Sequence, residues 1–290
     1  MLTSTRSEHV ARLRRLHERK GRLRSGSFLA EGPDCVTAAL EAGLGIEVVE
    51  VVGVEDHPLM DRVLDLGIPF HAATQRVVAA IGDAATPQGI VAQCTLPATT
   101  ADSVVARRGP IVVCDRISDP GNLGTIIRTA EAVGAAGVAT TEGSVDAWNP
   151  KVVRASAGSI FRLPVVTGLD EHGVIDVLAH GRTPIALHGA AQVDVVAAVT
   201  SGADSGISRD DWVWIVGSEA HGVSTELLQA VEWTARIPMA ASVESLNAAI
   251  SVAIALYAGA SGVPAERPAH DPAESPAESP ASGHAGDGVI

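Results

Sequence analysis

Three short segments, far apart in the chain, carry residue types that could do chemistry. They read Asn122-Leu-Gly-Thr-Ile-Ile-Arg128, then Gly217-Ser-Glu-Ala-His-Gly222, then Ile237-Pro-Met239 followed by Ser245-Leu-Asn247. Between them they offer carboxamides, a guanidinium, a carboxylate and a hydroxyl, groups that can orient a polar ligand and oppose developing charge. Each follows or interrupts an apolar run, as α/β enzymes build ligand loops at strand ends. Asp119-Pro-Gly-Asn-Leu-Gly124 is turn chemistry placed just after a strand-like run that ends at Asp115. Gly217 lets a ligand come close to the backbone, and Glu219 and His221 share its loop. Ser245 is expected to N-cap the last helix, leaving Asn247 in its first turn. No G-x-G-x-x-G follows a strand, which counts against an ordinary dinucleotide site.

The elements that must position these loops alternate. Ile111 to Cys114 is a short continuous apolar run, as expected of a parallel strand covered on both faces. Further strands are expected at 137–140, 163–166, 184–187, 212–216 and 235–237, with helices near 124–133, 150–159, 174–179 and 225–231. That alternation predicts an α/β domain over 110–260, its parallel sheet flanked by helices. The last helix, from about Ser245 to Tyr257, has Leu246, Ile250, Ile254 and Tyr257 at helical spacing and an apolar opposite face. It is read as buried, in the core or at a subunit interface. Upstream, residues 1–97 form a smaller α/β unit, with a helix over 36–42, a strand over 46–54, a short helix over 61–66 and a strand over 89–93. Residues 98–109 read as a linker. Residues 263–290, with five prolines and a tandem Ala-Glu-Ser-Pro, read as a disordered tail.

The 290 residues carry a formal charge of −13, yet residues 1–24 hold eight Lys or Arg against two Glu. A basic segment on an acidic body is compatible with phosphate binding, and equally with a solvated helix face. Three isolated cysteines, with no CxxC pair, argue against a disulfide framework or a zinc site and for a reducing cytoplasm. No metal is expected. The N-terminus lacks the apolar core of a signal peptide, and no run of about 18 apolar residues is present to span a membrane.

The three loops together resemble the SpoU-type, TrmH-like RNA 2′-O-ribose methyltransferases of the SPOUT superfamily. The resemblance covers about 110–260, including Asn149-Pro-Lys-Val-Val-Arg-Ala-Ser-Ala-Gly-Ser-Ile-Phe-Arg-Leu-Pro164. Lys20-Gly-Arg-Leu-Arg24, Phe28-Leu-Ala-Glu-Gly32 and Thr86-Pro-Gln-Gly89 are similar to the family's L30e-like substrate-binding domain. The resemblance implies a C-terminal trefoil knot holding S-adenosylmethionine, and a homodimer with the last helix near its interface. It implies cofactor contacts at Gly217, Ile237 and Leu246, with Leu187 added at the neighbouring strand end. Arg22, Arg24, Arg154 and Arg162 are matched to positions that meet RNA, where a guanidinium suits phosphate.

The implied reaction is in-line attack of a ribose 2′-oxygen on the sulfonium methyl. Arg128 matches the family's arginine for the hydroxyl proton, as a base or as an electrostatic stabiliser of the alkoxide. Asn122 would fix Arg128 or the ribose, and Glu219 would pair with Arg128 or Asn247. Ser245 and Asn247 would orient substrate or cap the helix. His221 is read as a bystander, and Trp212, Trp214 and Trp233 as core. The expected substrate is 23S rRNA, with tRNA, or a self-protecting rRNA methylation that blocks an antibiotic site, as alternatives. A non-catalytic RNA-binding or assembly factor is the reading from a different class.

Overall fold

The computed structural model describes residues 1–51, 58–178, 180–240, 242–243 and 245–260. The tail read at 263–290, and the end of the strand read over 46–54, lie outside the described residues.

The N-terminal part runs α1 (Glu8–Arg14), α2 (Arg19–Ser25), β1 (Ser27–Glu31), α3 (Pro33–Glu41), β2 (Gly45–Val51), α4 (Pro58–Asp65), β3 (Phe70–Ala73), α5 (Gln75–Ile81) and β4 (Ile90–Thr95). Its four strands order β1-β4-β2-β3, with β4 antiparallel to both neighbours and β2 parallel to β3. Strands β1 and β3 were not singled out from sequence. All five residues of β1 are buried, so it shows no polar alternation to read. The segment read as a linker contains a helix, α6 (Ala101–Val105), closed by a Thr100–Ser103 capping box and anchored by buried Val104.

The larger part runs β5 (Ile111–Asp115), α7 (Pro120–Ala132), β6 (Gly137–Thr141), α8 (Pro150–Ala155), β7 (Val165–Leu169), α9 (Glu171–Leu178), β8 (Thr183–Leu187), α10 (Val195–Asp204), β9 (Trp212–Gly217), α11 (Thr225–Ala230), β10 (Trp233–Ala235) and α12 (Ala248–Ala260). The six strands are parallel and order β10-β8-β9-β5-β6-β7, as the alternation predicts. From β5 the chain steps outward to β6, whereas β9 leads the other way to β10. The strand order therefore reverses between β5 and β9, and a crevice outside their carboxyl ends is where such sheets bind ligands. Asp115 and Gly217 pair there across the two strand ends.

The two parts share one apolar core. Phe28 of β1 lies 4.8 Å ring to ring from Trp148 and 5.9 Å from Phe161. In the larger sheet Trp212, Trp214 and Trp233 pack on one another, with the first two almost fully buried, so they are core. Helix α12 divides its faces. Val252, Ala255 and Leu256 enter the core, while Ile250, Ile254 and Tyr257 form a stripe that is 50%, 36% and 61% exposed. Among the described residues no helix is long and apolar enough to cross a membrane.

Candidate active site

The crevice at the β5/β9 switch is built by three loops. After β9 the chain doubles back, Ser218 bridging Gly222. A Cβ added at Gly217 would lie 1.9 Å from the Gly222 carbonyl carbon, so no side chain fits there. The loop is tied to β5 by Asp115, whose buried carboxylate accepts from Ser224 N at 2.7 Å and from the Thr141 hydroxyl at 3.1 Å. Before α7, Asp119 caps the helix by accepting from Asn122 N at 2.7 Å, which fixes Asn122 in the first turn. Gly124 one turn on is a packing residue, since a Cβ there would meet Ala155 Cβ of α8 at 2.4 Å.

The third loop joins β10 to α12. Asn247, rather than Ser245, caps α12: its Oδ1 accepts from Ala249 N at 3.0 Å and Ile250 N at 3.2 Å. With its oxygen so occupied, the Asn247 amide nitrogen points outward and donates to Asn122 Oδ1 at 2.8 Å. The Asn122 amide in turn donates to Glu219 Oε1. Asn122 thus sits at the centre of a Glu219–Asn122–Asn247 chain, and the pairing of Glu219 with Arg128 or Asn247 expected from sequence is replaced by one with Asn122.

Beside this chain lies a cavity of about 260 Å³ lined by Leu187, Gly217, Glu219, Ile237, Ser245 and Leu246, among others. All four residues matched to cofactor contacts meet in this one space. His188, Arg236 and Met239 line it as well and were not singled out for it from sequence. The first two follow the carboxyl ends of β8 and β10, the position where a parallel sheet gathers ligand residues, and that was the available signal. His221 is exposed and lies outside this lining.

Arg128 is not in the cavity wall of its own chain. Six residues beyond Asn122 on α7, it lies about 120° around the helix from it. It is exposed and makes no hydrogen bond or ion pair among the described residues. The other arginines matched to RNA contacts divide. Arg22 is 2% exposed: its guanidinium donates from Nε to Asp146 Oδ2 at 2.9 Å and from NH1 to the Leu16 and His17 carbonyls. It is a strut between the two parts of the chain and has no surface left for phosphate. Arg154 pairs with buried Glu31 at 3.1 Å, a second tie across the same boundary. Arg162 pairs with Glu131 and keeps half its side chain exposed. Arg24 is exposed and lines a separate cavity of about 320 Å³ with Arg15 and Lys20.

Residues 109–257 match the SpoU rRNA Methylase family, and residues 7–92 match the MRM3-like substrate binding domain. The chain belongs to the SpoU rRNA methylase family. It is 31% identical over 261 residues, 88% of its own length and 97% of the relative's, to the 23S rRNA (guanosine(2553)-2′-O)-methyltransferase RlmP of Bacillus subtilis. Its fold is similar to that of an AdoMet-bound rRNA methyltransferase from Sinorhizobium meliloti, with a TM-score of 0.78, 31% identity, and 89% and 96% of the two chains covered. The SpoU methyltransferase AviRb from Streptomyces viridochromogenes, solved with AdoMet, follows with a TM-score of 0.77 at 27% identity over 88% and 97%.

Proposed function

We propose that this enzyme transfers the methyl group of S-adenosylmethionine to a ribose 2′-oxygen of 23S rRNA. The observation that carries the reading is the convergence of Leu187, Gly217, Ile237 and Leu246 on one cavity, edged by the Glu219–Asn122–Asn247 chain. Leu187, Gly217, Ile237 and Leu246 would hold the cofactor in that cavity, beside the hydrogen-bonded amides of Asn122 and Asn247. Bound there, the cofactor supplies an electrophilic methyl group. The chain's own residues orient the ribose and stabilise the charge that forms on its oxygen.

Arg128 serves as that stabiliser. A guanidinium in water is a persistent cation, and nothing among the described residues pairs with it. Because it stands off the cavity in its own chain, the complete site needs a second subunit or the RNA itself to bring it into play. A homodimer over the exposed Ile250, Ile254 and Tyr257 stripe covers α12, which packs on α7, the helix carrying Arg128. The knot belongs to the same reading: β10 lies at the sheet edge, and beyond it in sequence Leu246 lines the cavity at the crevice. The N-terminal domain binds RNA, with Arg24, Arg15 and Lys20 on its surface, and Arg154 and Arg162 extend that contact toward the site. The enzyme works in the cytoplasm, as its three buried free thiols suit.

The test is methyl transfer from labelled S-adenosylmethionine to unmodified RNA split into rRNA and tRNA fractions. Label in rRNA at an alkali-resistant ribose position is the expected result. Label confined to tRNA would overturn the substrate, and tight cofactor binding with no transfer to either would favour an RNA-binding role.

A further inference from the structure

Outside the active site, helix α1 and strands β2 and β3 bring two imidazoles onto one carboxylate. His9 Nε2 lies 3.2 Å and His71 Nε2 3.1 Å from the same oxygen, Glu47 Oε2. The three atoms all fall within 4.8 Å of one another. The three residues are spread over 62 positions, so no local spacing marks them in the sequence.

We propose that His9, Glu47 and His71 form a binding site for a zinc-class divalent ion, with water as the fourth ligand, which ties α1 to the sheet of the N-terminal domain.

Three observations carry this. The first is distance. Zinc bonds of about 2.0–2.1 Å in a tetrahedron place the ligand atoms about 3.4 Å apart, close to the two spacings seen. The second is an orphan. His9 Nε2 is buried and has no hydrogen-bond partner, although a carboxylate oxygen stands 3.2 Å away. A buried ring nitrogen in that state is costly unless something else satisfies it.

The third observation is how the carboxylate is presented. Arg12 binds Glu47 Oε1 at 2.6 Å and Gln93 Oε1 at 2.6 Å, and Gln93 donates to Ser27 Oγ at 2.9 Å. These contacts fix the carboxylate plane and leave Oε2 as a single-oxygen ligand, an outer-shell arrangement common at metal centres. The side chains of His9 and His71 are 24% and 33% exposed, so the site has a solvent path for the ion and its water. Arg12 also lines the cavity that holds Arg24 and Lys20, so the ion would stiffen one wall of the basic surface.

The experiment is equilibrium dialysis of the untagged full-length chain against Zn²⁺, with metal content measured for the native protein, His71→Gln and His9→Gln/His71→Gln. One zinc per native chain is expected, at least tenfold weaker binding in the single variant, and none at this site in the double. No stoichiometric zinc in the native chain, or unchanged binding in the double variant, overturns the proposal. Where the double variant does not fold, Co²⁺ bound to the native chain decides. The intense visible absorption of a four-coordinate site supports the proposal, and the weak spectrum of a six-coordinate ion rejects it.

Discussion

Asn247 donates its side-chain amide to Asn122 Oδ1 at 2.8 Å, although 125 residues separate them. The contact closes the chain: it joins the first turn of α7 to the cap of α12, and through Asn122 it reaches Glu219 in the β9 loop. Three segments that carry the site's polar groups are thereby held in one register. Both asparagine amides have their orientation set by these partners, since Asn247 Oδ1 accepts from two backbone N–H groups and only its nitrogen is free to donate.

Replacing Asn122 therefore tests positioning. Asn122→Ala leaves Glu219 and Asn247 without their shared partner and should cut transfer by about tenfold to a hundredfold, with a smaller change in cofactor affinity. Asn122→Asp should be worse, because it sets a second carboxylate against Glu219 where a donor stood. Rates and cofactor titrations on both variants check this; equal activity of the two would refute it.

Arg128 tests charge. If it stabilises the alkoxide, Arg128→Ala should lower the transfer rate by about 10²–10³-fold while S-adenosylmethionine binding stays within about twofold, since the residue is outside the cavity lining. Arg128→Lys should recover part of the rate because it keeps the positive charge. Parallel loss of binding and rate in the alanine variant would count against this role.

Two glycines of the motifs separate binding from stability. Gly217→Ala drives a methyl into the Gly222 backbone at 1.9 Å and should destroy cofactor binding by displacing the loop. Gly124→Ala presses on Ala155 Cβ and Val152 O, in the α7–α8 packing, and should cost about 1–3 kcal/mol of stability with the cavity intact. Calorimetric titration and thermal unfolding of the two variants distinguish these outcomes.

What the sequence made legible follows from what leaves a local pattern. The parallel sheet was readable because β5 and β9 are continuous apolar runs, and the loops because glycine, proline and amide residues punctuate their ends. The Asn122–Glu219 and Asn122–Asn247 bonds were not, since a contact across about a hundred residues has no periodicity. Counting charge in residues 1–24 found a basic segment but could not see that Arg22 turns inward to Asp146 while Arg24 turns out. Helix α6, five residues long, is too short for a helical period to register in a stretch of small polar residues.

That divergence of Arg22 and Arg24 gives a paired prediction. Arg22→Ala leaves the Asp146 carboxylate without its counter-charge, held among the described residues only by Trp148 N, and two carbonyls at the domain boundary unpaired, a loss of about 3–5 kcal/mol for a buried ion pair. Arg24→Ala removes an exposed side chain and should leave the unfolding temperature nearly unchanged while weakening RNA binding and its dependence on salt. Thermal unfolding together with RNA titration at two salt concentrations reads both. A destabilised Arg24→Ala, or a stable Arg22→Ala, would reverse the assignment.

The three cysteines set how stability changes in alkali. Burial pushes the Cys114 thiol up to about 12, helped by the charge of Asp115, and pushes Cys35 and Cys94 up as well. An unfolded thiol ionises near pH 8.5, so above that value unfolding releases protons that the folded chain still holds. The contribution is fully present at neutral pH, declines from about pH 9, and is lost as the pH rises through the folded value. For Cys114 alone the loss is about 3 kcal/mol by about pH 10.5. Urea unfolding of the native chain and Cys114→Ala at a series of pH values measures it: the gap between them should narrow as the pH rises. Curves that stay parallel would show that Cys114 does not titrate on unfolding. The same burial predicts that none of the three thiols reacts with a disulfide reagent until the chain unfolds, because the thiolate is the reactive form and folding withholds it.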